Sequence, residues 1–94
     1  MKRIKYSPSR IQNRSDCFWC RSTRFLDHHE FLCGPDRKFA AEDGLWVWAC
    51  RWCHIHVQND PEIMLNGKKL SQQIFEGEIG TRDDFRARYR KSYL

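Results

Sequence analysis

The stretch WACRWCHIHVQND, residues 48–60, decides the fold. A CxxC pair, Cys50 and Cys53, runs directly into His54, and His56 follows two residues later. A matching pair stands upstream, Cys17 and Cys20 in CFWC, so the spacing is CxxC, 29 intervening residues, CxxC. Two thiolates per pair, brought together in space, make the tetrahedral sulfur set that Zn²⁺ favours. The pattern therefore predicts one zinc site built from Cys17, Cys20, Cys50 and Cys53. Four sulfurs leave no open coordination position, so this zinc is expected to be structural rather than catalytic. Cys33 is left over and is expected as a small buried or half-buried residue beside Gly34-Pro35.

Working outward, the 94 residues predict one domain. A chain this short buries a modest core, for which a metal staple is a common remedy. The net charge of +5 favours an acidic partner, nucleic acid first and an anionic membrane surface second. The longest apolar run, Leu45 to Ala49, is far too short to span a bilayer, so no membrane partner is expected. The opening MKRIKYSPSR lacks the apolar centre of a secretory signal. Five cysteines without an export signal point to a reducing, cytoplasmic compartment, and an odd count argues against a complete disulfide framework.

Residues 1–14 carry Lys2, Arg3, Lys5, Arg10 and Arg14 and no acid, with Pro8 and serines interrupting any pattern. They predict a flexible basic arm over residues 1–16, free to lie along phosphates, ahead of a single domain over 17–94. RFLDHHE, residues 24–30, predicts a short strand. GPDRKFAAEDG, residues 34–44, opens on Gly-Pro and closes on Asp-Gly, which predicts a loop, with room for a helical turn inside. LWVWA, residues 45–49, predicts a strand with Leu45, Val47 and Ala49 on one face and Trp46 and Trp48 on the other.

The second cysteine pair leads into a helix that Pro61 ends or interrupts. A further helix is expected within Glu62 to Glu76, weakened by Asn66-Gly67. Thr81-Arg-Asp-Asp84 reads as a capping box that starts a last helix. There Phe85, Tyr89 and Tyr93 form an aromatic stripe, expected in the core. Arg82, Arg86 and Arg90 form a basic stripe beside it, either a solvated face or a phosphate contact. Trp19, Trp46, Trp48 and Trp52 crowd the cysteines and are expected to cover the zinc site as core.

Asp27-His28-His29 lies at the end of the first strand. If both cysteine pairs close on one zinc, that end faces the first turn of the His54 helix. Imidazoles near one point can hold a divalent ion, and a free one can take a proton from water near neutral pH.

The order CxxC, His-His, CxxC-His resembles the zinc-containing HNH endonucleases, and most nearly small phage-encoded HNH-like proteins. The stretches HHEFLCGPDRKFAAEDGLWVWAC, QQIFE and FRARYRKSYL carry the resemblance, which spans Cys17 to Leu94. It implies an α+β fold, a small zinc-stapled ββα-metal domain of treble-clef-like form with additional C-terminal helices. It implies hydrolysis of DNA phosphodiester bonds by a second, catalytic ion such as Mg²⁺, Mn²⁺ or Ni²⁺. It also implies a phage protein working in the host cytoplasm. Carried over by residue, His29 would be the general base, with His28 and His54 as ligands of the catalytic ion. In family members reading Asp-His the aspartate is the ligand and the next histidine the base, which would give those roles to Asp27 and His28. Arg37 and Lys38, or Arg82, Arg86 and Arg90, would hold the flanking phosphates.

Three positions depart from the family pattern. Gly44 stands where an asparagine usually precedes the leucine, here Leu45. Gln58 stands four residues after His54, where many members have another histidine. Cys53-His54 replaces the His-His of the phage-like subgroup. His56 is about 200° around a helix from His54, so the two cannot easily share an ion. A domain that had lost the catalytic site would remain a zinc-stapled DNA- or RNA-binding module, or would bind a phage or host protein through exposed tryptophans.

Overall fold

The computed structural model describes residues 4–94; Met1 to Arg3, with Lys2 and Arg3 of the basic run, lie outside the described residues. The described residues form an α+β domain of two strands and four helices, in the order β1 (Leu26–His29), α1 (Arg37–Asp43), β2 (Val47–Cys50), α2 (Arg51–Gln58), α3 (Pro61–Glu78) and α4 (Arg82–Tyr89). A single 3₁₀ turn, Gly34–Asp36, leads into α1. The strands pair antiparallel, with Asp27 opposite Ala49, His28 opposite Trp48 and His29 opposite Val47.

Strand alternation sorts the side chains as expected. Val47 packs with Phe31 and Val57 on one face, joined by Ile63 and Met64. Trp46 and Trp48 gather around His28 on the other. A second apolar cluster, Leu32, Ala40, Leu45, Phe75, Phe85 and Tyr89, joins α1, α3 and α4. The aromatic pair of the last helix is thus core, with Phe85 and Tyr89 buried and Tyr93 packed against them beyond the helix end. The capping box forms: Thr81 Oγ1 accepts from Asp84 N–H, and the Asp84 carboxylate accepts from Thr81 N–H.

Three expectations need correction. Residues 37–43 are a helix, not a loop. Ala40 and Ala41 bury completely against the core, and Gly44 ends the helix in the left-handed region at φ 72°. A side chain at position 44 would strike the Pro8 carbonyl, so only glycine fits.

The second correction concerns α3, which runs unbroken through Asn66-Gly67. Gly67 is buried in direct contact with the Phe31 ring, where a Cβ would overlap the ring. Here glycine weakens the helix locally but permits the closest packing between α3 and the hairpin. Asp60 caps this helix by accepting from the N–H groups of Glu62 and Ile63, and Pro61 sits at its first position.

The third is the basic arm. From Ser7 to Asp16 the chain is strapped across the domain rather than free. Ser7 N–H donates to Ala41 O, Arg10 N–H to Gly44 O, and the Trp46 indole to Ser7 O. Gln12 is buried; its side chain accepts from Trp48 N–H at 2.9 Å and donates to Asp16 O at 2.6 Å. Apart from Asp16, these partners lie far away in sequence, 36 residues for Gln12 with Trp48 and 39 for Ser7 with Trp46, which local composition does not encode.

Candidate metal centre and histidine cluster

The two cysteine pairs meet because both lie at the same end of the strand pair: Cys50 ends β2 opposite Leu26, and Cys17 and Cys20 precede β1. Cys17 and Cys20 form a tight turn in which Cys20 N–H points at Cys17 Sγ at 3.5 Å. Cys50 ends β2 and caps α2, and Cys53 N–H points back at Cys50 Sγ, also at 3.5 Å. Phe18 N–H donates to Trp48 O and so docks the first pair against β2. The four Sγ atoms lie within 4.8 Å of one another, and Cys20 and Cys50 approach to 3.6 Å. A tetrahedral zinc with Zn–S near 2.3 Å needs sulfur–sulfur edges of about 3.8 Å, so the set fits. Four crowded thiols cannot all ionise without a cation among them. Burial alone would raise the Cys17 thiol, but the backbone N–H groups of Cys20, Cys50 and Trp19 lower it to about 6. Burial and the neighbouring thiols push Cys53 well up. The four cysteines can hold a metal such as zinc. Among the described residues they are the one group of three or more His, Cys, Asp and Glu side chains gathered closely enough to do so.

Two details differ from expectation. Cys33 is exposed at the mouth of a cavity rather than buried. Of the four tryptophans, Trp46 is buried, but Trp52 is 79 % exposed, at the rim of a cleft it shares with Cys20, Cys50 and Cys53 rather than in the core. Its position in the first turn of α2 points it outward, because the inward positions of that turn belong to Cys53 and His54.

Next to the sulfur cluster, the end of β1 meets α2. Asp27 and His29 project to one face of the strand and His28 to the other, as the period of two requires. Asp27 Oδ2 stands 3.6 Å from His54 Nδ1. The His29 and His54 rings meet edge to face with centroids 5.0 Å apart. His29 is 2 % exposed, and its Nε2 has no hydrogen-bond partner. Burial, reinforced by the nearby His54, lowers its pKa to about 4. His28 lies flat on Tyr6, with centroids 3.7 Å apart and planes 17° from parallel. Its pKa is lowered chiefly by burial, so at neutral pH it holds a free lone pair.

A cavity of about 270 Å³ opens between these groups, with His28, His29, Arg37, His54 and Gln58 among its walls. A second, broader recess runs past Asp27, His28, Arg37 and His54. Arg37 is fixed at both by Glu30, Nε to Oε1 at 2.6 Å, and Glu30 also accepts from the Tyr6 hydroxyl at 3.0 Å. Gln58 thus lines the same cavity as His54, one helical turn on. His56 points to solvent.

The basic residues singled out in the sequence are scattered. Lys38 lies over the Phe39 ring on α1, 5.2 Å from its centroid. Arg82 pairs with Glu76, Arg86 with Asp83, and Arg90 with Asp36. The arginines of the last helix and its C-cap are therefore ion-paired at the surface and do not form an unpaired stripe.

Comparison of the chain with protein-family models, with curated proteins and with solved structures found no match. No helix of the described residues is long and apolar enough to cross a membrane.

Proposed function

We propose that this chain is a metal-dependent endonuclease of the zinc-containing HNH type, hydrolysing phosphodiester bonds of DNA on a ββα-metal domain stapled by Cys17, Cys20, Cys50 and Cys53. The observation that carries the reading is the junction of β1 with α2. There Asp27 stands 3.6 Å from His54, with His28 and His29 on either side and Arg37 at the rim.

Of the two registers the sequence allows, Asp27 with His28 is the better supported. Asp27 and His54 would hold the divalent ion. A hydrated ion such as Mg²⁺ takes one or two protein ligands and keeps several waters, which suits so sparse a pair. When bound, the ion would stabilise charge on the phosphate and the leaving oxygen. His28 is uncharged at neutral pH, and its ring plane is set by the Tyr6 stack, so it can take a proton from an attacking water. His29, buried with a pKa near 4, suits a neutral wall behind His54 better than a base exchanging protons with solvent. Arg37, charged and locked by Glu30, would hold the adjacent phosphate. In a phage-infected cell such an enzyme would act in the cytoplasm on phage or host DNA.

A second reading, a non-catalytic zinc-stapled nucleic-acid or protein-binding module, draws support from Gly44. The asparagine typical of the family cannot be accommodated there beside Pro8. One experiment separates the two. Metal content and nicking of supercoiled plasmid are measured on the same sample with Mg²⁺, Mn²⁺ or Ni²⁺, with His28→Ala alongside. One tightly held zinc and nicking lost in the variant support the nuclease; one zinc and no cleavage with any ion overturn it in favour of the binding module.

A further inference from the structure

Ten arginines fall in the described residues, and seven are ion-paired: Arg10, Arg14, Arg37, Arg82, Arg86, Arg88 and Arg90. The remaining three, Arg21, Arg24 and Arg51, have no acidic partner among the described residues, and all three flank the cysteine pairs. Beside them stand the two most exposed large apolar side chains of the domain, Phe25 at 66 % and Trp52 at 79 %. Arg51 lies over the Phe25 ring at 5.0 Å from its centroid. A cleft of about 380 Å³ is walled by Phe25, Trp52, Arg24 and Arg51, with Cys20, Cys50 and Cys53 of the sulfur cluster at its floor. Phe25 and Arg21 both have left-handed backbone, at φ 54° and 64°. A bulky non-glycine residue held in that region and turned into water costs free energy twice, once in backbone strain and once in exposed apolar surface.

We infer that Phe25 and Trp52, with Arg24 and Arg51, form a stacking platform for the bases of an unpaired DNA strand. Exposed aromatic rings give every base a face to stack on, and unpaired guanidinium groups track the phosphates between them. Charge favours this occupant over a protein: Arg24 and Arg51 wall the same cleft as the rings with no carboxylate paired to them, where a protein anchor would be rimmed by mixed polarity. The platform is held by the sulfur cluster on both sides, since Phe25 follows the first cysteine pair and Trp52 lies inside the second. It lies outside the Asp27–His54 junction. It deepens the nuclease reading by naming the form of the substrate, and the choice of DNA over RNA rests on that reading.

The test uses the full chain with its metal and a labelled oligonucleotide as single-stranded DNA, as duplex, and as single-stranded RNA. Phe25→Ala and Trp52→Ala should each weaken single-stranded DNA binding about five- to a hundredfold, the range of one stacked base. Zinc content should be unchanged, because both side chains are at the surface. Arg24→Gln should lower the salt dependence of binding. Unchanged affinity in both aromatic variants overturns the platform, as does equal or tighter binding of duplex or of RNA. A discrete protein complex that Trp52→Ala abolishes, with no oligonucleotide binding, also overturns it. Aromatic-dependent binding without cleavage retains the platform and rejects the nuclease. Cleavage with unchanged binding in both variants does the reverse.

Discussion

Asp27 and His54 face one another from different elements, the carboxylate Oδ2 3.6 Å from Nδ1, although 26 residues lie between them in the chain. Asp27 is exposed and bears no core load. Asp27→Ala is therefore expected to leave folding and zinc content intact while reducing ion-dependent nicking about a hundredfold, as loss of a metal ligand does. Plasmid nicking over a series of ion concentrations checks this. Full activity in Asp27→Ala would return the ligand role to His28.

The sulfur cluster should be the main support of the fold. Structural zinc in small domains contributes on the order of 10 kcal/mol, more than a chain of this size is expected to hold in reserve. Chelation should accordingly unfold the protein, read by loss of helical circular dichroism and restored by zinc. Cys17→Ser should behave like the chelated chain. Cys33→Ser should keep one zinc per molecule, since Cys33 is exposed and outside the cluster.

His29 makes stability depend on pH with a definite sign. Its folded pKa, about 4, lies below the ordinary value of 6.5. The unfolded chain therefore takes up a proton first as pH falls, and stability is lost between about pH 6.5 and pH 4. The full shift corresponds to about 3 kcal/mol. Zinc release in acid acts over a similar range, so the comparison is between the parent and His29→Leu. The variant should lose less stability over that interval in denaturant titrations; parallel curves would mean that His29 is solvated.

Gly67→Ala sets two effects against each other. Alanine favours the helix by about 1 kcal/mol, but its Cβ overlaps the buried Phe31 ring. Overpacking a closed core costs about 1–3 kcal/mol, and the ring has no free end to move aside. A lowered urea midpoint is expected, while a raised one would show that the hairpin can shift away from α3.

Gln12 connects the strap to the sheet. Gln12→Ala leaves the Trp48 N–H without its acceptor, for an expected loss of about 1–3 kcal/mol. A truly flexible arm would show no change in the same thermal melt.

What the sequence disclosed follows from range. The cysteine spacing, the Thr81 capping box, the Pro61 boundary and the two strands are encoded by neighbours, and each forms where expected. The strap was missed because serines, Pro8 and basic residues describe a coil equally well whether or not distant carbonyls await it. Helix α1 was missed because its turn signals at both ends are real, while its stability comes from burying Ala40 and Ala41. The pair of Arg90 with Asp36, 54 residues apart, was invisible for the same reason, whereas Arg86 with Asp83 is a local i,i+3 pair. One part of the site was readable and overlooked. Adjacent residues on a strand point to opposite faces, so His29 meets the His54 ring directly while His28 reaches the shared cavity from the other face.

The first cysteine pair closes with a partner that follows much later in the chain. During synthesis, Cys17 and Cys20 emerge and then wait while 33 further residues are added to reach Cys53. At ordinary elongation rates that interval is about two to seven seconds. The strap waits likewise for Trp46, and the core for Phe85 and Tyr89. A nascent chain therefore carries two bare, oxidisable thiols and an unpaired strand before anything can cover them. The yield of working protein should consequently track how reducing, and how well supplied with zinc, the cell is at that moment, rather than the strength of the finished fold.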